Sequence, residues 1–187
     1  MSFITQLRVG QRCAATAPRR ASATVVSVLD RDYEGQDCSI ARALEVVGER
    51  WTLLIIRDAL LGLCRFDEFR ESLGISRNIL TDRLNKLVDE GIFERVPYGT
   101  RSDRYDYQLT DKGLDLHVAL VGLRQWGDRY LCDKPPTLAR RRRDRKPLVA
   151  ALVPKGAETV PVSEAEFVAG PGRNPAASTW RVLARRS

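Results

Sequence analysis

The 187-residue sequence predicts a mainly α-helical chain with one small β-hairpin, and three observations carry that prediction. Between residues 38 and 90 apolar side chains recur at helical spacing in four short stretches, each closed by a glycine: Gly48, Gly62, Gly74 and Gly91. After Gly91 the period changes from 3.6 to 2, with Ile92 and Phe93 leading to a polar tip and Tyr105, Tyr107 and Leu109 alternating beyond it. A further helical stripe then runs to Lys134-Pro135-Pro136.

The first helix carries Ile40, Ala43, Leu44 and Val47, with Asp37 or Ser39 as N-cap. The second, residues 51–61, is apolar nearly all round and is expected to be the most buried element. A short third helix presents Phe66, Phe69 and Leu73. Ser76 caps a fourth running to about Glu90. Thr110 caps a fifth, read as one long helix with Leu114, His117, Val118, Val121, Leu123, Trp126 and Leu131 on its apolar side. This order, with the tight turn 73–76 between the third and fourth helices, is that of a winged helix-turn-helix.

Composition bounds the rest. Residues 1–31, rich in Ala, Ser, Thr and Arg, are read as a mostly disordered, flexible N-terminal extension, 32–133 as the winged-helix DNA-binding and dimerisation domain, and 134–187 as a flexible basic C-terminal extension, partly ordered at best. The formal charge of +7 divides into +1 for residues 1–37, −2 for 38–133 and +8 for 134–187. The basic excess therefore lies in the tail, mostly in Arg140, Arg141, Arg142, Arg143, Arg145 and Lys146, and DNA binding by the central segment must rest on pattern. No apolar run approaches the ~18 residues of a membrane span, and no secretory signal precedes the domain, so a cytoplasmic location without membrane contact is expected. Cys13, Cys38, Cys64 and Cys132 form no CxxC pair and are read as reduced thiols, with no metal site and no cofactor. His117 is the only histidine, and no HExxH, GxSxG, P-loop or GxGxxG occurs, so an enzyme is not expected.

In the fourth helix Leu80, Leu84, Leu87 and Val88 form the inward stripe, leaving Asn78, Thr81, Asp82, Asn85 and Lys86 outward. Short amides and hydroxyls address base edges and a cation addresses phosphate, which is the chemistry of a major-groove reader. The candidate DNA-binding residues are thus Ser76, Arg77, Asn78, Thr81, Asp82, Arg83, Asn85 and Lys86, joined by Tyr98, Arg101 and Arg104 of the hairpin, where Arg95 also lies. Arg83 either bonds phosphate or braces the wing. Asp82 either accepts from a cytosine amino group or holds Arg83.

Several segments together resemble the HxlR family of bacterial transcriptional regulators: residues 38–42 (CSIAR), 48–55 (GERWTLLI), 66–69 (FDEF), 75–84 (ISRNILTDRL), 91–95 (GIFER), 105–113 (YDYQLTDKG) and Trp126-Gly127. The resemblance covers about residues 33–131. It implies a homodimer of winged-helix subunits, similar to the MarR group, that binds double-stranded DNA, with the first and last helices at the dimer interface. Leu116, Leu120, Leu123 and Trp126 are the expected interface residues, because the fifth helix has more apolar face than so small a domain covers. The resemblance also makes Cys38 a candidate redox-sensing thiol, and a small molecule or an oxidant a candidate inducer. A repressor at a pseudo-palindromic operator is the expected function. The alternatives are a winged-helix module that binds protein instead of DNA, since the central segment is slightly acidic, and a thiol-based redox-sensor regulator.

Overall fold

The computed structural model describes Tyr33, residues 37–98 and 105–174, and Thr179. The expectation for residues 1–31 and the wing-tip residues Arg101 and Arg104 lie outside the described residues. Six α-helices and four strands follow in the order α1 (Ser39–Val47), α2 (Thr52–Leu60), α3 (Phe66–Leu73), α4 (Arg77–Asp89), β1 (Phe93–Pro97), β2 (Tyr105–Leu109), α5 (Asp111–Asp115), α6 (His117–Tyr130), β3 (Thr137–Arg141) and β4 (Ala165–Ala169). Among the described residues no helix is long and apolar enough to cross a membrane.

Local chemistry sets the boundaries. The Ser76 hydroxyl accepts from the Ile79 N–H at 3.3 Å and the Thr110 hydroxyl from the Gly113 N–H at 3.2 Å, so both expected caps form. Gly74 ends α3 at φ 64° and Gly91 follows α4 at φ 67°, a left-handed conformation that glycine adopts without a Cβ clash. The N-cap of α1 is neither Asp37 nor Ser39 but Cys38, without a side-chain hydrogen bond. Trp51, expected inside α2, is its N-cap instead and holds a left-handed φ of 80°.

The core is built where the inward stripes meet. Ile55 and Ile56 of α2, Phe69 of α3, and Leu80, Leu84 and Leu87 of α4 are fully buried, and Phe93 and Tyr107 close it from the wing. Phe69, Phe93 and Tyr107 meet edge-to-face, with ring centroids 6.3 to 6.5 Å apart. β1 and β2 pair antiparallel from Phe93↔Leu109 to Pro97↔Tyr105, and the Tyr107 N–H donates to the Cys64 carbonyl at 2.7 Å, tying the wing to the α2–α3 connection.

Asp58 of α2 is a carboxylate with no exposed surface at all. It accepts from the Arg57 guanidinium at 2.6 and 2.9 Å and from the Ser72 hydroxyl of α3 at 2.6 Å, and Ser72 in turn shares a 2.6 Å hydrogen bond with Thr179. Burial pushes its pKa up, opposed by Arg57 and Ser72.

One expectation is corrected. The single fifth helix is two, interrupted at Leu116, and α5 is fastened to the end of α4 at the base of the wing. There the Thr110 hydroxyl donates to the Gly91 carbonyl at 2.7 Å and Lys112 to the Glu90 carbonyl at 2.5 Å. The C-terminal segment, expected to be partly ordered at best, pairs β3 with β4 from Thr137↔Ala169 to Arg141↔Ala165 and buries Ala139 and Phe167. Its arginine run is partly paired: Arg140, Arg142 and Arg145 share Glu166, Arg143 faces Glu164 and Arg141 faces Asp144. Arg140 and Glu166 are directly opposite across the strands, while Arg142, Arg143 and Arg145 remain exposed.

The seat of α5 against the wing leaves no room for a side chain at Gly113. A Cβ there would lie 2.3 Å from the Ile92 carbonyl oxygen and 2.9 Å from Leu109 Cδ2. Gly113→Ala is expected to cost about 1–3 kcal/mol in equilibrium urea unfolding, by overpacking. Gly127→Ala, where a Cβ meets nothing within 4 Å, is expected to be neutral or to stabilise by up to about 1 kcal/mol. Equal effects at the two positions would refute the close-approach argument.

Candidate nucleic-acid interface

The recognition element is α4, set against α3 by the turn at residues 74–76. Its buried stripe fixes its rotation, so Ser76, Arg77, Asn78, Thr81, Asp82 and Asn85 are all exposed on one outward face. The helical period placed these residues correctly. It did not place the cations.

Arg83 and Lys86 turn away from that face, toward the α1–α2 connection. Arg83 pairs with the Glu49 carboxylate and its Nε donates to the Arg50 carbonyl at 3.3 Å. Lys86 Nζ donates to the Glu45 carbonyl at 2.6 Å and to Glu49 at 3.2 Å. Arg83 thus rests on the α1–α2 connection, and its carboxylate partner is Glu49 instead of Asp82. The wing is braced by a different pair: Arg95 donates to Asn85 Oδ1 at 2.5 Å, with its guanidinium 5.2 Å over the Tyr105 ring. Asn85 thus joins the recognition helix to β1.

Beside this face, α3, α4 and the wing enclose a groove of about 690 Å³. Arg77 reaches into it across the Phe66 ring at 5.0 Å, with Asp67 3.8 Å away. Arg65 lies 4.8 Å over the Tyr98 ring and 3.5 Å from Asp106. Sequence reasoning missed Arg65, because it precedes α3 and only the folded hairpin brings Tyr98 to it. At the groove floor, burial and the neighbouring Tyr105 push the Tyr107 hydroxyl up to about 12, so it stays protonated. The groove offers hydroxyl, amide and guanidinium groups on an aromatic frame, which suits a phosphate backbone and base edges.

The expected interface residues divide. Leu123 and Trp126 are 54% and 57% exposed on α6, with Trp126 stacked at 5.6 Å on Tyr130. Leu120, by contrast, is buried within its own chain, and Leu116 packs half-buried on the core. α2 packs against α6, and the C-terminal segment also lies along α6: Gln125 exchanges hydrogen bonds with the Ala150 backbone and Arg124 donates to the Thr137 carbonyl at 3.2 Å. Cys38 is exposed, and the backbone N–H groups of Ala41 and Ile40 hold its thiol below the ordinary range. Arg42 is paired with Asp37.

The family model of HxlR-like helix-turn-helix proteins matches residues 46–135. The chain belongs to the HxlR-like helix-turn-helix family. A helix-turn-helix-type transcriptional regulator of Mycobacterium tuberculosis, Rv3095, is 52% identical over 106 residues, 57% of this chain, and the chain spans 66% of that relative's length. The regulator YvaP of Bacillus subtilis is 32% identical over 91 residues, 48% of this chain and 84% of YvaP. The crystal structure of PA1607, a candidate transcription factor, is 41% identical, covers 65% of this chain and 87% of its own, and superimposes with a TM-score of 0.58. The HxlR chain is therefore a winged-helix member of a family of transcriptional regulators.

The Glu49 contact yields a stability test. A double-mutant cycle of Glu49→Ala and Arg83→Ala, read by urea unfolding, is expected to give a coupling of about 0.5–1 kcal/mol. Zero coupling would mean that Arg83 does not rest on Glu49.

Proposed function

We propose that this HxlR-family chain binds duplex DNA sequence-specifically as a homodimer, with α4 in the major groove, and represses transcription by covering a promoter. The observation that carries the reading is the outward face of α4, where Asn78 and Thr81 stand exposed beside the Arg65–Arg77 groove while the helix's other cations are held inward. Amide and hydroxyl groups then do the reading, and Arg77 with the wing supplies backbone contact.

The homodimer reading rests on the second face of α6. Leu123, Trp126 and Tyr130 form an exposed apolar stripe at helical spacing, opposite the side that His117, Leu120 and Val121 bury in their own chain. Ile40 on α1, 70% exposed, extends the apolar surface available to a second copy. A two-fold dimer of such subunits would place its recognition helices about 34 Å apart, one DNA turn, over a pseudo-palindromic operator.

The test begins with genomic fragments selected by the pure protein. On such a fragment Asn78→Ala is expected to weaken binding by about 1–3 kcal/mol and to leave random DNA nearly unaffected. Arg77→Ala is expected to weaken both alike and to reduce the salt slope by about one unit. Equal losses for Asn78→Ala on both DNAs would reject base reading by α4. Selection of no duplex at all would favour the protein-interaction module.

A further inference from the structure

Arg65 lines the same groove as Arg77 but belongs to neither α4 nor the wing. We infer that Arg65 is a further DNA contact, binding one phosphodiester of the duplex backbone, and that Tyr98 serves that contact by positioning Arg65. This role rests on the DNA reading of α4. The backbone of Arg65 is fixed from both sides. Its N–H donates to the Glu68 carboxylate at 3.0 Å, as does that of Cys64, and its carbonyl accepts from the Phe69 N–H at 3.1 Å. The Cys64 carbonyl, one residue earlier, holds the wing through the Tyr107 N–H. The root of the side chain is therefore pinned where the start of α3 meets β2.

The head of the side chain is placed but not bonded to its carboxylate neighbour. Its guanidinium lies 4.8 Å over the Tyr98 ring and its Nε is 3.5 Å from Asp106 Oδ1, yet that oxygen is buried with no hydrogen bond among the described residues. Arg65 thus attracts Asp106 without bonding it. Arginines that hold the fold together behave differently: Arg57 bonds Asp58 at 2.6 and 2.9 Å and Arg124 bonds Asp128 at 2.5 Å, with side chains 30% and 16% exposed. The Arg65 side chain is 53% exposed. A planar fork already resting on an aromatic ring loses little further freedom when it meets an anion, and its paired N–H donors match two oxygens of a phosphate.

The surrounding charges select the ligand. Arg77, 5.0 Å over the Phe66 ring, lines the groove with Arg65, and Asp67 and Glu68 share it. Glu68 accepts from the two backbone N–H groups of Cys64 and Arg65, and Asp67 lies 3.8 Å from Arg77. So balanced a groove suits one singly charged phosphodiester and no denser anion. A free anion gains little there, because the groove is open to water and both guanidinia are solvated. A backbone phosphate gains more, because a duplex held by α4 presents it at high effective concentration. Tyr98, expected from the sequence to touch DNA itself, is half-buried with the Arg65 guanidinium over its ring, and its part is to support that head.

The test uses the full chain on a genomic fragment that it selects, with binding read by fluorescence anisotropy. Arg65→Ala is expected to weaken the selected fragment and random DNA alike, about tenfold, and to lower the salt slope by about one unit. Arg65→Gln, which keeps most of the stem, serves if Arg65→Ala does not fold. Single phosphates of the fragment are then replaced in turn by neutral methylphosphonate. At one position per half-site the replacement is expected to weaken wild type about tenfold and Arg65→Ala less than about twofold, because the contact is already gone. Tyr98→Ala is expected to weaken binding at least about threefold, Tyr98→Phe to recover most of that loss by keeping the ring, and Tyr98→Ala to add less than about twofold to Arg65→Ala. Unchanged affinity in Arg65→Ala, or a loss equal to wild type at every replaced phosphate, would overturn the contact. Tyr98→Ala acting in full on top of Arg65→Ala would overturn the positioning role alone. A wild-type chain that selected no duplex would fail the earlier reading, and the contact with it.

Discussion

Glu49 decides which side chains of the recognition helix remain for a partner. Its carboxylate receives both Arg83 and Lys86, so the two cations in the second half of α4 face the protein, and the polar uncharged groups Asn78 and Thr81 face out. The residues around it hold that carboxylate in place. A Cβ at Gly48 would lie 2.5 Å from the Leu44 carbonyl oxygen, so only glycine lets the chain leave α1 at this angle. Two residues later Trp51 adopts a left-handed φ, an uncommon conformation for a large side chain, with the Arg50 guanidinium 5.0 Å over its ring. The sequence Gly48-Glu49-Arg50-Trp51 is thus a built support for α4, and its polar member is aimed at the recognition helix.

Two further contacts keep the recognition helix and wing as one body. Asn85 receives Arg95 from β1, and the α5 turn grips the end of α4 at Glu90, Gly91 and Ile92. α5 continues into α6 through Leu116. The C-terminal segment packs on the same helix, with Phe167 against His117 and Ala150 bonded to Gln125.

The elements legible in sequence were those whose cause is local. Apolar residues at helical spacing, Ser76 and Thr110 as caps and Gly74 and Gly91 at helix ends are enough to place α3, α4 and the wing, and the same wheel gives the exposed face of α4. What escaped depends on neighbours remote in sequence. A helical wheel turns Lys86 outward and shows nothing of Glu49, more than thirty residues earlier, which lies alongside Lys86 and Arg83. The break at Leu116 has no proline to announce it. The carboxylate partners of the arginine run, Glu166 and Glu164, are remote in sequence, and the apolar residues Ala139 and Phe167 are too isolated in sequence to signal a strand pair. Leu120, read as interface, belongs to the core for the same reason: α2, which packs against α6, is remote.

The central claim is that the outward face of α4 meets DNA while its Glu49-bound cations do not. Site-specific photocrosslinking tests it most directly, with p-benzoylphenylalanine placed in turn at Asn78, Thr81 and Lys86 of the full chain bound to a selected genomic fragment. The account predicts crosslinks to bases from positions 78 and 81 and none from position 86. Crosslinking from position 86 with silence at 78 and 81 would contradict it.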